Sequence, residues 1–114
     1  MTDLIELIFT ELQRLGTCTS RSDFSRDWLG REEGYYRTVQ AKGQAPSIHA
    51  HAYLAAQLRT LGMYLARCEF PTLVVIGNRY LELYGECLEA LLNRVQLETP
   101  ALNAHRHVVT ANAA

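Results

Sequence analysis

The chain has 114 residues, which suffice for one compact domain but not for two of ordinary size. Apolar residues make up 48% of it and the net charge is −1, so the composition excludes both a disordered chain and a uniformly basic nucleic-acid coat. The acidic start lacks the basic region of a signal peptide, and no apolar run approaches the roughly 20 residues that span a bilayer. The three cysteines have no CxxC spacing and predict small buried residues in a reducing compartment. We therefore expect a cytoplasmic protein without membrane contact.

Positive charge is concentrated in the middle of the sequence. Residues 1–13 carry three acids and no base, and residues 68–114 carry three bases and five acids. Residues 14–67 carry eight bases and four acids, and ten of the chain's eleven bases are arginine. Arginine suits phosphate groups and guanine edges, but a local charge of this size also fits an ordinary solvated surface. Both interpretations stay open at this point.

Two helices are predicted before residue 30. Apolar residues at three- and four-residue steps predict the first over residues 3–15. Ser20 and Asp23 have the spacing of a capping box, which predicts a second helix over residues 21–29, with Gly30 as its end. The buried face of this second helix would be formed by Phe24, Trp28 and Leu29.

A third, shorter helix is predicted over residues 32–41. Glu32 and Glu33 would lie in its first turn, where backbone N–H groups favour anions. Tyr35 and Val39 are one turn apart and would be its buried positions. The residues left facing outward, at least in part, would be Tyr36, Arg37 and Gln40.

Two longer helices follow. Ser47 is a good N-cap for a helix over residues 48–67, in which Gly62 could mark a break. A last helix over residues 72–97 ends before Thr99-Pro100. We expect the tail at residues 99–114 to be loosely ordered.

A heptad pattern of apolar positions marks one face of the last helix. This face would pack against the preceding helix or against a second copy of the chain. Because two-fold dimers are the commonest oligomers and Gly77 would permit close backbone approach, we expect a dimer interface here. Its positions are Val74, Gly77, Leu81, Tyr84, Leu88, Leu91 and Val95.

These elements predict an all-α fold. A helix-turn-helix bundle would be followed by two longer helices that form an antiparallel hairpin. Residues 1–98 would make a single helical domain, with the helix-turn-helix over about residues 20–60 and a packing or dimerisation segment over about residues 61–98.

Five landmarks follow one another at fixed distances between residues 29 and 47: Leu29-Gly30, Tyr35-Tyr36, Val39, Lys42-Gly43 and Pro46-Ser47. Their order resembles the Cro and phage-repressor (XRE-type) helix-turn-helix family over about residues 20–60. In that family a leucine-glycine ends the first helix of the motif, a recognition helix follows, and Pro-Ser opens the next helix. Phe24 lies one position earlier than the family's aliphatic residue, and Ser25 stands at the position of that aliphatic residue. The second helix would therefore be shifted or one residue longer than the family's.

The resemblance implies which side chains would meet DNA. Arg37 and Gln40 would reach base edges, whereas Lys42 and Gln44 would reach phosphates. The first turn of the second helix matches a position at which the family contacts phosphates. The two carboxylates in the first turn of the third helix could accept hydrogen bonds from cytosine amino groups. The alternatives to DNA contact are a solvated polar face, helix capping and, for the tyrosines, core packing. The full set is Arg21, Ser22, Arg31, Glu32, Glu33, Tyr36, Arg37, Gln40, Lys42 and Gln44.

Two His-x-His pairs are the remaining candidates for a site. His49 and His51 point to different sides of a helix, so they cannot easily share a metal. His105 and His107 have no cysteine or carboxylate placed to complete a ligand set. No P-loop, dinucleotide or Ser-His-Asp signature is present. We therefore expect no metal, no cofactor and no enzymatic activity.

The resemblance implies a sequence-specific regulator of transcription, of bacterial or phage type, that binds double-stranded DNA as a homodimer. The acidic start of the third helix and the net charge of −1 motivate an alternative. In it the helix-turn-helix scaffold serves a protein–protein adaptor that does not bind DNA and meets its partner through the C-terminal helices. A regulator with a small-molecule cavity near Met63, Tyr80 and Tyr84 is a variant of the first reading.

Overall fold

A computed structural model describes residues 3–98, and within them the fold is all-α with five helices. The helices are α1 (Leu4–Arg14), α2 (Arg21–Asp23, continuing as a π-helical turn, Phe24–Trp28), α3 (Tyr35–Ala41), α4 (Ile48–Ala66) and α5 (Pro71–Glu98). The expected loose tail and the pair His105 and His107 lie outside the described residues. None of the helices described is both long and apolar enough to cross a membrane.

Serine caps start α2 and α4 as the sequence predicts. The Ser20 hydroxyl accepts a hydrogen bond from the Asp23 backbone N–H at 3.1 Å, and the Ser47 hydroxyl accepts one from the Ala50 N–H at 3.1 Å. These bonds satisfy N–H groups that have no partner inside the helix. Gly62 does not interrupt α4, which runs unbroken to Ala66.

The second half of α2 contains one residue more per turn than an α-helix. The Leu29 N–H donates to the Phe24 carbonyl at 3.0 Å, five residues back instead of four. This turn is therefore π-helical. It also keeps Phe24, Trp28 and Leu29 buried, as expected.

An aromatic cluster joins the first three helices. The rings of Phe9, Phe24 and Tyr36 pack with centroids 4.9 to 5.7 Å apart. Trp28 meets Tyr80 edge to face at 5.3 Å, which connects α2 to α5. Such tilted contacts are the arrangement that aromatic pairs prefer. The core therefore extends from the N-terminal helices to the hairpin.

The helices α4 and α5 form the predicted antiparallel hairpin and touch through glycines. A Cβ added at Gly77 would lie 2.5 Å from the backbone nitrogen of Ala66, and one added at Gly62 would lie 2.9 Å from Leu81 Cδ2. A real Cβ essentially never comes so close to another atom. The two helices can pack at this separation only because these positions have no side chain.

The heptad face of α5 therefore packs inside the chain. Gly77 is buried against α4, Leu81 contacts Gly62, and Tyr84 packs against the buried core. The prediction that Gly77 lies in a dimer interface is wrong, because α4 occupies the space that a partner would need. At Leu81 and Tyr84, which are half-buried, the dimer interface stays a prediction. The other four positions of this face, which are half-buried, are Val74, Leu88, Leu91 and Val95.

An ion pair ties α1 to α5. Arg79 Nε donates to a Glu11 carboxylate oxygen at 2.9 Å, and Arg14 Nη2 approaches the same side chain at 2.6 Å. Hydrogen bonds from Arg14 and Arg79 lower the pKa of Glu11 to about 2. The carboxylate is therefore charged throughout the physiological range.

A buried histidine lies between α4 and α5. His51 is only 2% exposed, and its Nε2 is 3.0 Å from the Cys87 carbonyl oxygen. Since a carbonyl can only accept, Nε2 carries the hydrogen and Nδ1 accepts from Arg94 Nη1 at 3.2 Å. This arrangement suits the neutral imidazole, and burial lowers the pKa of His51. His49 is exposed, so the two histidines do not come together.

Candidate nucleic-acid interface

Residues 21–41 form two short helices and a turn, which we call the α2–turn–α3 unit. Gly30 in the turn has a φ of +65°, and a Cβ there would lie 2.8 Å from ring atoms of Tyr53. A glycine is therefore required both for the left-handed backbone and for the close approach of the α4 ring. Gly30 ends α2, as the sequence predicts.

A buried serine fastens the two helices of the unit together. The Ser25 hydroxyl donates to the Arg21 carbonyl at 2.9 Å and accepts from the Tyr36 N–H at 3.0 Å. It thereby satisfies an N–H group in the first turn of α3. Sequence reasoning noted that Ser25 takes an aliphatic place but missed this role. A small hydroxyl residue in an otherwise apolar position was the available signal.

The helix α3 begins later than predicted and turns a different tyrosine inward. Glu32 and Glu33 lie in the preceding turn, and the helix starts at Tyr35. Tyr36 is 2% exposed, so the prediction that it faces outward toward DNA is wrong. Tyr35 is half-buried instead, and its hydroxyl accepts from the Ser47 N–H at 2.8 Å.

A polar network covers one flank of α3. Glu6 of α1 accepts a hydrogen bond from the Tyr36 hydroxyl at 2.6 Å and another from the Gln40 amide. Arg21 Nε donates to the side-chain Oε1 of Gln40 at 2.7 Å, and Arg21 Nη2 lies 3.4 Å from Glu6 Oε1. Burial and the bond to Glu6 raise the pKa of Tyr36. No sequence signal pointed to Glu6, which is 34 residues from Gln40.

This network changes the expected roles of two site residues. Both ends of the Gln40 amide are bonded, so it can read a base edge only if it leaves Glu6 and Arg21. Arg21 is likewise engaged, although its side chain remains 42% exposed. Ser22 is half-buried beside it, in the first turn of α2.

The outward face of α3 is polar and positively charged. Arg37, Thr38 and Lys42 are exposed, with Lys42 directly after the last helical residue. Neither Arg37 nor Lys42 makes an ion pair with any residue between 3 and 98. Gln44, in the loop to α4, is exposed as well. Two cations on this face are therefore available to a phosphate or a base edge.

The turn before α3 carries mixed charge. Arg31 is exposed and its guanidinium lies 4.8 Å from the centre of the Tyr35 ring. Glu33 is bound by Arg26 at 3.1 Å, and Arg26 also binds Asp23 and Asp27. Glu32 is exposed. Arg26 is thus shared among three carboxylates, and the turn and α2 together keep an excess of negative charge.

Comparisons with known proteins identify a family. No curated protein and no solved structure matches the chain significantly. A family model described as a family of unknown function, DUF6626, matches residues 5–106, a range that contains the whole α2–turn–α3 unit and the hairpin. The chain therefore belongs to the DUF6626 family.

Proposed function

We propose that the protein binds double-stranded DNA through α3 and regulates transcription in the cytoplasm of a bacterium or phage host. The observation that supports this most is the outward face of α3, where Arg37 and Lys42 have no ion pair within residues 3–98. The opposite face is anchored by Tyr36 and Val39 in the core. A short helix held in this way presents a polar face that fits the major groove.

Within this proposal, Arg37 reads a base edge and Lys42 contacts a phosphate. Arginine has the bidentate donors that match guanine, whereas lysine acts as a point charge. Gln40 positions Arg21 and Glu6 instead of reading a base, because its amide is bonded at both ends. Binding blocks or recruits other factors at a promoter and involves no chemistry on the DNA.

The acidic residues beside α3 limit where a phosphate backbone can lie. Arg26 binds Glu33 at 3.1 Å but also binds Asp23 and Asp27, so this cluster and Glu32 both repel a phosphate backbone. At a base edge, Glu32 would accept from a cytosine amino group.

The test is titration of fluorescent duplex DNA of random sequence at 50 and 200 mM salt. Each phosphate contact weakens binding by roughly 3.5-fold over this interval, so replacing Lys42→Ala should reduce the salt-dependent loss by about that factor. Arg37→Ala should weaken binding at both concentrations. The matched control is Arg14→Ala, which also removes one positive charge but lies at the end of α1, on Glu11. A double variant of Arg37 and Lys42 that binds as tightly as wild type would contradict the proposal.

A protein–protein adaptor is the second candidate function. The observation in its favour is that α5 exposes Val75 (66%), Leu92 (47%) and Leu97 (84%) to solvent. Apolar side chains at such exposure can anchor a partner. If the wild-type protein is folded by circular dichroism but fails to bind any duplex at 50 mM salt, the adaptor is favoured over the DNA-binding protein.

A further inference from the structure

Two aromatic side chains project from the closed end of the α4–α5 hairpin. Tyr64 is 74% exposed and Phe70 is 64% exposed. They border a cleft of about 460 Å³, and the surface around it, which we call the hairpin-end patch, consists of Met63, Tyr64, Arg67, Cys68, Glu69 and Phe70. At these exposures the two rings alone present roughly 300 Å² of largely apolar surface, comparable to the largest patch on a typical monomer.

Tyr64 also borders a second cleft. This cleft has a volume of about 390 Å³, and its apolar wall includes Trp28, Leu61, Leu65 and Tyr80. The Tyr64 ring is therefore a projection with a depression on either side. A surface with a projection beside a depression of similar size can fit against a copy of itself.

The charges of the patch are self-complementary as well. Arg67 and Glu69 border the first cleft, and neither forms an ion pair with a residue in the described part of the chain. In a two-fold dimer the same surface meets itself, so a residue on one side faces a different residue of the same patch on the other. In this arrangement Arg67 of each subunit can form an ion pair with the partner's Glu69.

We propose that the hairpin-end patch binds a second copy of the chain about a two-fold axis. Tyr64 of each subunit enters the cleft beside the partner's Phe70, and Arg67 pairs with the partner's Glu69. A standard stable interface buries about 800 Å² per subunit, and the two rings supply less than half of that, so we expect a small interface centred on them. An interface with so small an apolar centre should dissociate in the micromolar range.

The proposed interface leaves α3 uncovered. The patch lies at the C-terminal end of α4 and in the turn to α5, and none of the residues that border the two clefts belongs to α3. Dimerisation is therefore measurable without DNA and does not depend on the function proposed above. If DNA binding fails but the dimer forms, only the function is refuted, and the reverse outcome refutes only the interface.

The first test is sedimentation velocity from 1 to 500 μM. We expect wild-type protein to shift from monomer to dimer and the double variant Tyr64→Ser/Phe70→Ser to stay monomeric. Both residues are exposed, so the variant should keep the wild-type thermal midpoint. The matched control is Leu97→Ser, which removes an 84% exposed leucine from the opposite end of α5 and should dimerise normally. A monomeric wild type over the whole range, or a dimer that survives the double variant, overturns the proposal.

The second test examines the facing charges. Arg67→Glu alone places two anions opposite each other in each of the two facing pairs, and Glu69→Arg alone places two cations there, so each variant should be monomeric. An equimolar mixture of the two variants should form a heterodimer, because both facing pairs are then opposite in charge. Native mass spectrometry identifies the heterodimer by mass. A mixture that stays monomeric, or two variants that each dimerise as wild type does, overturns the two-fold arrangement.

Discussion

A methyl group at Gly77 should separate α4 from α5. The added Cβ would lie 2.5 Å from the Ala66 nitrogen and 2.8 Å from Leu65 Cβ, whereas non-bonded heavy atoms pack at about 3.5 Å. The nearest obstacle is backbone and cannot rotate away. Accommodating the methyl group therefore moves one helix outward by roughly 1 Å along the hairpin.

The expected cost follows from two opposing effects. Overpacking of a well-packed contact costs about 1–3 kcal/mol, and an obstacle of backbone atoms favours the upper end. Replacing a helical glycine by alanine returns about 1 kcal/mol through helix propensity. We therefore expect Gly77→Ala to lower the free energy of unfolding by about 1–2 kcal/mol.

Gly85 of the same helix provides the matched control, because a Cβ there meets nothing within 4 Å. Gly85→Ala should raise the free energy of unfolding by about 0.5–1 kcal/mol. Both variants are compared with wild type by urea unfolding followed by circular dichroism at one protein concentration. If Gly77→Ala is stabilising to the same extent as Gly85→Ala, the close approach of the two helices does not exist and the reasoning is refuted.

Three further predictions concern polar contacts. Tyr36→Phe removes the hydroxyl that donates to Glu6 at 2.6 Å and should lower the free energy of unfolding by about 1–2 kcal/mol, which urea unfolding measures; an unchanged value would mean that water replaces the bond fully. Ser47→Ala removes the cap of α4 and should cost about 1 kcal/mol in the same assay, and a neutral effect would argue against the cap. The pKa of His51 is lowered in the folded state from the ordinary value of 6.5, so the unfolded chain binds the proton more readily. Stability should therefore be complete above pH 6.5 and fall as the pH drops below it, because protonation places a charge on a buried ring and also removes its bond from Arg94. His51→Gln should flatten this slope between pH 7.5 and 5.5, and an unchanged slope would assign it to other groups.

Much of the secondary structure could be predicted from the sequence, because caps and apolar spacing are local signals. Ser20, Ser47 and Gly30 fix helix boundaries through bonds or dihedral angles within a few residues of themselves. The hairpin was predictable for the same reason.

The candidate site was less predictable, because its details depend on contacts between distant residues. The choice between Tyr35 and Tyr36 as the buried residue turns on where α3 begins, and Ser25 and Glu6 decide that from 11 and 30 residues away. Apolar periodicity shows that α5 has a packed face, but it does not say whether the partner is α4 or another chain. Gly77 was recognised as a point of close approach, yet only the fold shows that Ala66 occupies it.

The two carboxylates of α1 have a consequence for how the chain folds. Glu6 reaches Tyr36 across 30 residues of sequence and Glu11 reaches Arg79 across 68, whereas α4 and α5 are joined by a short turn. The hairpin can therefore form early at small loop-closure cost, while α1 must wait for two distant surfaces to be in place. Once docked, α1 bonds to α3 and α5 at the same time and links them into a single cooperative unit. In native-state hydrogen exchange, amides of α3 and the middle of α5 should accordingly open together, at the free energy needed to release α1.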